Sequence, residues 1–219
     1  MDNPRIVGTA LERTLHSGAR RDIAAVMVVW IVGLIVSGIA PYDRATWLLE
    51  VAPVLIAAPL LLATRGKFPF TTLAYVLICV HGLILMLGAA YTYAQVPAGY
   101  WVQEWLGLER NPYDRFGHFA QGFIPAIVAR EILIRTFRVA PGGFLFFIAV
   151  CIALALSAFY EMIEWWTALA LGQGADHFLG TQGDEWDTQW DMFLALVGAA
   201  AAQLFLSRLH DRQIRAMHP

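Results

Sequence analysis

The sequence predicts an all-α, polytopic membrane protein: six transmembrane helices plus a short outer interfacial helix, forming one transmembrane domain over residues 1–219. Three observations predict it. Hydrophobic residues make up 58% of the chain and charged ones 15%, against about 45–50% and about 25% in soluble domains. Apolar stretches recur at the length needed to cross about 30 Å of hydrocarbon. Basic residues gather on alternate sides of those stretches. The same composition, with a mean hydropathy of +0.57, excludes a disordered chain and a nucleic-acid binder. Cys79 and Cys151 both lie inside apolar runs, which argues against a disulfide framework.

Ile23–Ala40 is the first span, eighteen residues without a charge, stopped by Pro41. It is too long for a signal-peptide core. Leu48–Ala63 is the second, interrupted by Pro53 and Pro59. Phe70–Tyr91 is the third, with His81 near its middle. Between it and the fourth span, Pro97–Pro112 mixes Tyr100, Trp101, Trp105, Leu106 and Leu108 with a few polar groups, which reads as a helix lying in the outer interface. Phe116–Ile134 is the fourth span and the most polar, carrying His118, Gln121, Arg130 and Glu131. Phe144–Leu171 is the fifth; 28 residues would reach roughly 42 Å, so one end protrudes. Gly172–Trp186 has turn composition, and Met192–Ser207 is the sixth span.

Six spans place both termini on one side. With the N-terminus inside, twelve Lys and Arg fall inside, while only Arg44, Arg110 and Arg115 fall outside. This asymmetry predicts an inner-membrane protein with both termini cytoplasmic. Five acids lie inside and twelve outside or in outer helix halves, an excess that the rule for basic loops does not address. Seven of the eight tryptophans also fall near the outer boundary, the pattern of an interfacial aromatic belt.

The outer acids fall into helical patterns. Asp114, His118 and Gln121 stand at i, i+4 and i+7; Ser157, Glu161 and Glu164 form a similar stripe; Asp187 and Asp191 are four apart. Each set shares a helix face, and the topology brings all three to similar depths. Carboxylates packed together in low dielectric cannot all stay ionised without a cation, and Arg110 and Arg115 are too few. A divalent metal such as Zn²⁺ or Mn²⁺ suits carboxylates with imidazole. The expected metal ligands are Asp114, His118, Glu161 and Asp191, with Glu164 or Asp187 as ligand or general base. His81 and Gln121 are expected at the floor, as ligands or as hydrogen-bond partners of ligands. Tyr91, Tyr93, Trp165 and Trp190 are expected to line a mouth facing a membrane lipid or lipid-linked substrate.

Plainer readings exist for single residues. Asp114 and Asp187 also suit the first turn of a helix, where the dipole favours acids. His81 and Gln121 also suit hydrogen bonding between helices. Glu161 and Glu164, two acids one turn apart inside a span, have no such structural role.

The run from YTYAQVP through RNPYDRFGHFAQGFIPAIVAREILIR, SAFYEMIEWW and GTQGDEWDTQWDM resembles the YjdF-like family of bacterial inner-membrane proteins, whose function is unknown. More distantly, an acid four residues before His-Phe and an acid-rich helix start near the end resemble the VanZ-like group. That likeness implies a cell-envelope role and assigns no catalytic residue.

Three functions compete. A metal-dependent hydrolase or transferase would act on a lipid-linked or cell-envelope substrate at the outer leaflet. A cation-binding or transport protein would use the same acids as a pathway, although no polar path continues inward and no inverted repeat is visible. A non-catalytic accessory protein would use the buried polar groups only to lock helix packing.

Overall fold

A computed structural model describes residues 4–172 and 176–217, and among these the regular structure is entirely helical. The helices are α1 Pro4–Ile39, α2 Arg44–Thr64, α3 Thr72–Tyr91, α4 Pro97–Leu106, α5 Tyr113–Arg135, α6 Gly143–Leu171, α7 Asp176–Leu179 and α8 Asp187–Met217. Five contain segments long and apolar enough to cross a membrane: Arg20–Ile39, Arg44–Thr64, Thr72–Tyr91, Gly143–Ala170 and Asp187–Met217. The chain is a polytopic all-helical protein.

The fourth expected span, α5, is 23 residues long but is not among the apolar five. Its polarity follows from its position. It packs most extensively on α8, then on α6 and α3, so its buried residues include Asp114, His118, Arg130 and Glu131. Small residues allow the α5–α8 approach. A Cβ on Gly122 would collide with the Ala195 carbonyl, and one on Gly198 with that of Phe119. Ala126, Ala153, Ala195, Ala199 and Ala202 are fully buried nearby. Close backbone packing through small residues drives helix association where lipid supplies no hydrophobic force.

On the other side α3 packs against α1 and α2. Here Trp30, Val51, Val54, Tyr75 and Met86 form the apolar core. Trp30 donates its indole N–H to the Cys79 carbonyl at 3.3 Å. Cys79 and Cys151 are free, as their apolar settings require.

The helix ends differ from the sequence expectation in instructive ways. Helix α8 runs 31 residues rather than Met192–Ser207, because polar turns at both ends stay helical while their side chains bond inward. The expected interfacial segment is helical only over Pro97–Leu106 and ends at Gly107 with φ 63, a left-handed C-cap. Its Trp101 and Trp105 are among the most exposed aromatics. The Gly172–Trp186 loop contains the short helix α7, and residues 173–175 of that loop lie outside the described residues.

The end of the bundle formed by the α5 C-terminus carries a buried polar network. Glu131 is fully buried and accepts from the Thr71 amide at 2.9 Å, the Thr71 hydroxyl at 2.7 Å and Arg135 at 2.6 Å. His210 Nε2 stands 2.9 Å from Glu131, and its Nδ1 stands 3.2 Å from Arg130 Nη1. A guanidinium only donates, so Nδ1 accepts and Nε2 carries the proton given to Glu131. Arg130 also reaches Asp211 at 2.7 Å. Gln213 accepts from the Leu73 amide at 2.9 Å. Thus α5 and α8 together satisfy N–H groups at the start of α3, which have no partner within their own helix.

Candidate functional site

At the opposite end, α5, α6 and α8 bring His118, Asp114, Glu161 and Asp191 together. His118 Nε2 lies 3.6 Å from Asp114 Oδ1 and 3.8 Å from Asp191 Oδ2; Nδ1 lies 3.7 Å from Glu161 Oε1. Glu164 completes a second group with His118 and Glu161. The ligand atoms of Asp114, His118 and Asp191, and likewise those of His118, Glu161 and Glu164, lie within 4.8 Å of one another.

These spacings carry a chemical meaning. They exceed the 2.7–3.2 Å range of N–H···O hydrogen bonds. They fall within the reach of two ligands each about 2.0–2.2 Å from one ion. His118 Nδ1, Glu161 Oε1 and Asp191 Oδ1 are buried without a hydrogen-bond partner, although their residues are at most 7% exposed. Buried polar atoms without partners cost about 1–3 kcal/mol each, so three in one pocket mark a place built for something further. The four expected metal ligands do converge, but they divide between the two nitrogens of one imidazole.

Arginines account for the remaining acids more fully than the sequence suggested. Arg110 pairs with Asp187, approaches Asp114 Oδ2 at 3.3 Å and Asp184 at 3.5 Å, and donates to the Gly180 carbonyl at 3.3 Å. Arg115 holds Asp184 at 2.6 Å. Asn111 and Gln182 exchange two 3.0 Å hydrogen bonds. These contacts stitch the loop before α8 onto the start of α5. The Trp186 amide, and after it the two guanidiniums, hold the Asp184 carboxyl below its ordinary pKa. Asp187 therefore faces Arg110 rather than the His118 pocket. No Lys or Arg nitrogen lies within 4.0 Å of Glu161, Glu164 or Asp191 among the described residues.

A cavity of about 470 Å³ opens beside the cluster, lined among others by Glu50, His81, Asp114, His118, Gln121 and Glu164. Tyr160 also lines it, donating to Glu50 at 2.8 Å and so bridging α6 to α2. Tyr93 reaches the cavity from two consecutive left-handed residues, Thr92 with φ 54 and Tyr93 with φ 51. Such backbone costs of order 1–3 kcal/mol per residue and clusters at functional sites. His81 and Gln121, expected at the floor, are among the residues lining the cavity, and His81 Nε2 is buried and unpartnered. Of the expected mouth residues only Tyr93 lines the cavity. Tyr91, Trp165 and Trp190 are exposed at the bundle surface, and Arg115 stacks 5.3 Å from the Trp190 ring.

Tyr160 and the Arg110 clamp were missed from sequence. Tyr160 sits one residue before Glu161 and carries no spacing signal; Arg110 precedes Asp114 by four, a salt-bridge interval that could have been read.

The family model described as a predicted membrane protein, DUF2238, matches residues 23–212. The inner membrane protein YjdF of Escherichia coli (strain K12) is 60% identical over 182 residues, covering 83% of this chain and 87% of that protein. No solved structure matches. The match runs from α1 into α8 and includes the whole polar pocket, so this integral, multi-pass inner-membrane protein belongs to the DUF2238 membrane protein family.

Proposed function

We propose that the His118 pocket binds a divalent cation at the outer side of the inner membrane and serves a hydrolase or transferase acting on a lipid-linked or cell-envelope substrate. One observation carries the reading: carboxylate oxygens of Asp114 and Asp191 stand 3.6 and 3.8 Å from His118 Nε2, too far for hydrogen bonds and within reach of a shared ion, and the other Asp191 oxygen is buried without a partner. Asp114, His118 Nε2 and Asp191 are the ligand set, with Arg110 on the far oxygen of Asp114 turning Oδ1 toward the ring. Zn²⁺ or Mn²⁺ suits this donor set.

A bound ion polarises a phosphoryl or acyl oxygen and lowers the pKa of its water to about 7. Glu164, on the cavity wall, accepts the proton of the attacking water or hydroxyl, and the departing group leaves with the electron pair of the broken bond. Glu161 faces the other imidazole nitrogen and would accept a hydrogen bond from its N–H when Nε2 binds the ion, fixing the tautomer. Asp187, engaged by Arg110, positions that guanidinium.

In this reading α5 is a membrane crossing too, making six, and the excess of basic residues at the Glu131 end supports a cytoplasmic location for both termini. Ion transport is less well supported, because below His81 the cavity walls become apolar. Elemental analysis of detergent-purified protein tests the reading: an ion present in the wild type and lost in Asp191→Asn and His118→Ala supports it. A metal-free wild type that takes up no Zn²⁺ or Mn²⁺ overturns it.

A further inference from the structure

The polar cavity does not end at His81. A second cavity of about 530 Å³ continues from it, and the two share Pro53, Ala57, Leu60, His81, Leu85, Pro125 and Leu156 as walls. Apart from His81 and Thr64, every residue lining the second cavity is apolar or glycine. It extends to Thr64, Phe70 and Ile132, near the opposite end of the bundle.

Helix packing gives the groove its shape. Helix α2 packs on α1 and α3, and α6 packs on α5 and α8, while α2 and α6 scarcely touch one another. The gap between them is crossed at the polar end by the Tyr160–Glu50 hydrogen bond. Below that bridge, Leu60 on α2 and Leu156 on α6 stand exposed at its edges. In a bilayer this gap opens sideways into the hydrocarbon. Pro53 on α2 and Pro125 on α5 line both cavities, and each helix-interior proline removes one backbone hydrogen bond.

From His118 to Ile132 is fourteen residues of α5, roughly 21 Å at helical rise. That exceeds the roughly 15 Å depth of one leaflet, half of a hydrocarbon core about 30 Å thick. Both cavities fall within the roughly 300–1,000 Å³ typical of small-molecule sites.

We propose that this groove binds the single long hydrocarbon chain of a membrane amphiphile, entering between α2 and α6, with its head beside Glu50, His81, His118 and Glu164. This deepens the proposed function, since the substrate's head would then meet the ion-binding pocket, but the groove itself stands on its own walls. It makes the substrate class a lipid whose chain is held by the protein, rather than a water-soluble molecule entering from outside.

The test uses the full-length protein in detergent and a monoacylglycerol whose long chain ends in a photoactivatable diazirine. The neutral head removes charge effects. Cross-links from the chain end are expected on Phe70, Val128 and Ile132, and a short-chain version is expected to label near His81 instead. Ala57→Trp, filling the groove, lowers labelling about tenfold, equivalent to about 1.4 kcal/mol. Leu156→Trp, at the lipid-exposed edge, does the same and guards against misfolding of the first variant. Metal content is measured on the same samples. Groove labelling with no metal upholds the groove and overturns the ion site; metal with labelling spread over outward residues such as Val32, Ile35 and Phe205 does the reverse. Unchanged labelling in both tryptophan variants also overturns the groove.

Discussion

His118 is the residue on which the candidate site turns, with carboxylates facing both of its ring nitrogens and a hydrogen bond to none of them. Its neighbours were legible in the sequence because helical spacing aligns Asp114 with His118 and Glu161 with Glu164. The partners that cross between distant segments were not: Tyr160 bonds Glu50 over 110 residues and His210 meets Glu131 over 79, and no local pattern encodes such pairings. Tyr160→Phe leaves a Glu50 oxygen without its donor and is expected to lower stability by about 1–3 kcal/mol, seen as a lower unfolding temperature in detergent. Glu131→Ala strips the fully buried acceptor from Thr71, His210 and Arg135; loss of one partner of a buried pair costs about 3–5 kcal/mol, so the variant should unfold near growth temperature or fail to accumulate. Asp184 supplies a pH signature. Its depressed pKa means that its stabilising contribution is present above the ordinary value of 3.8 and is lost as pH falls through the folded value. The unfolding-temperature gap between wild type and Asp184→Asn should persist at neutral pH and close in strong acid; a gap that widens in acid contradicts the assignment.

At the scale of the helix, α5 concentrates what is unusual. Its polar residues marked it as a poor span by composition, and the reason is packing: α3, α6 and α8 surround it. Five of the six expected apolar elements stand within a few residues of their expected bounds over their membrane-length portions, but the extents of α1 and α8 were underestimated. Hydropathy detects where a helix meets lipid; it does not detect polar turns that stay helical at either end. The α5–α8 contact is the element most sensitive to volume. Gly198→Leu drives a side chain into the Phe119 backbone, where overpacking costs typically about 1–3 kcal/mol and more against rigid backbone. A Leu204→Ala change at a lipid-exposed position of the same helix should leave the unfolding temperature nearly unchanged. Equal effects from the two would refute the close-packed seam.

Across the whole molecule the two ends are built differently. At the end bearing Glu131 the fully buried Glu131 and His210 both have hydrogen-bond partners, which suits a structural lock, although a cavity borders Arg130 and Asp211 there. The end bearing His118 leaves polar atoms unpartnered beside an open cavity, which suits binding. In the proposed topology the locked end, with its basic loops, faces the cytoplasm; a reporter fused after Pro219 should then be active only as a cytoplasmic reporter, and periplasmic activity would reverse the topology. The most direct measurement of the central claim is unfolding temperature together with metal content, before and after chelation, for wild type and Asp191→Asn. An ion held at a hundred times its dissociation constant adds about 2.7 kcal/mol. The account predicts a bound divalent ion in the wild type, a clear fall in unfolding temperature on chelation, its recovery with Zn²⁺ or Mn²⁺, and neither ion nor response in Asp191→Asn. A wild type that holds no ion, takes none up and unfolds at the same temperature with or without chelator would contradict it.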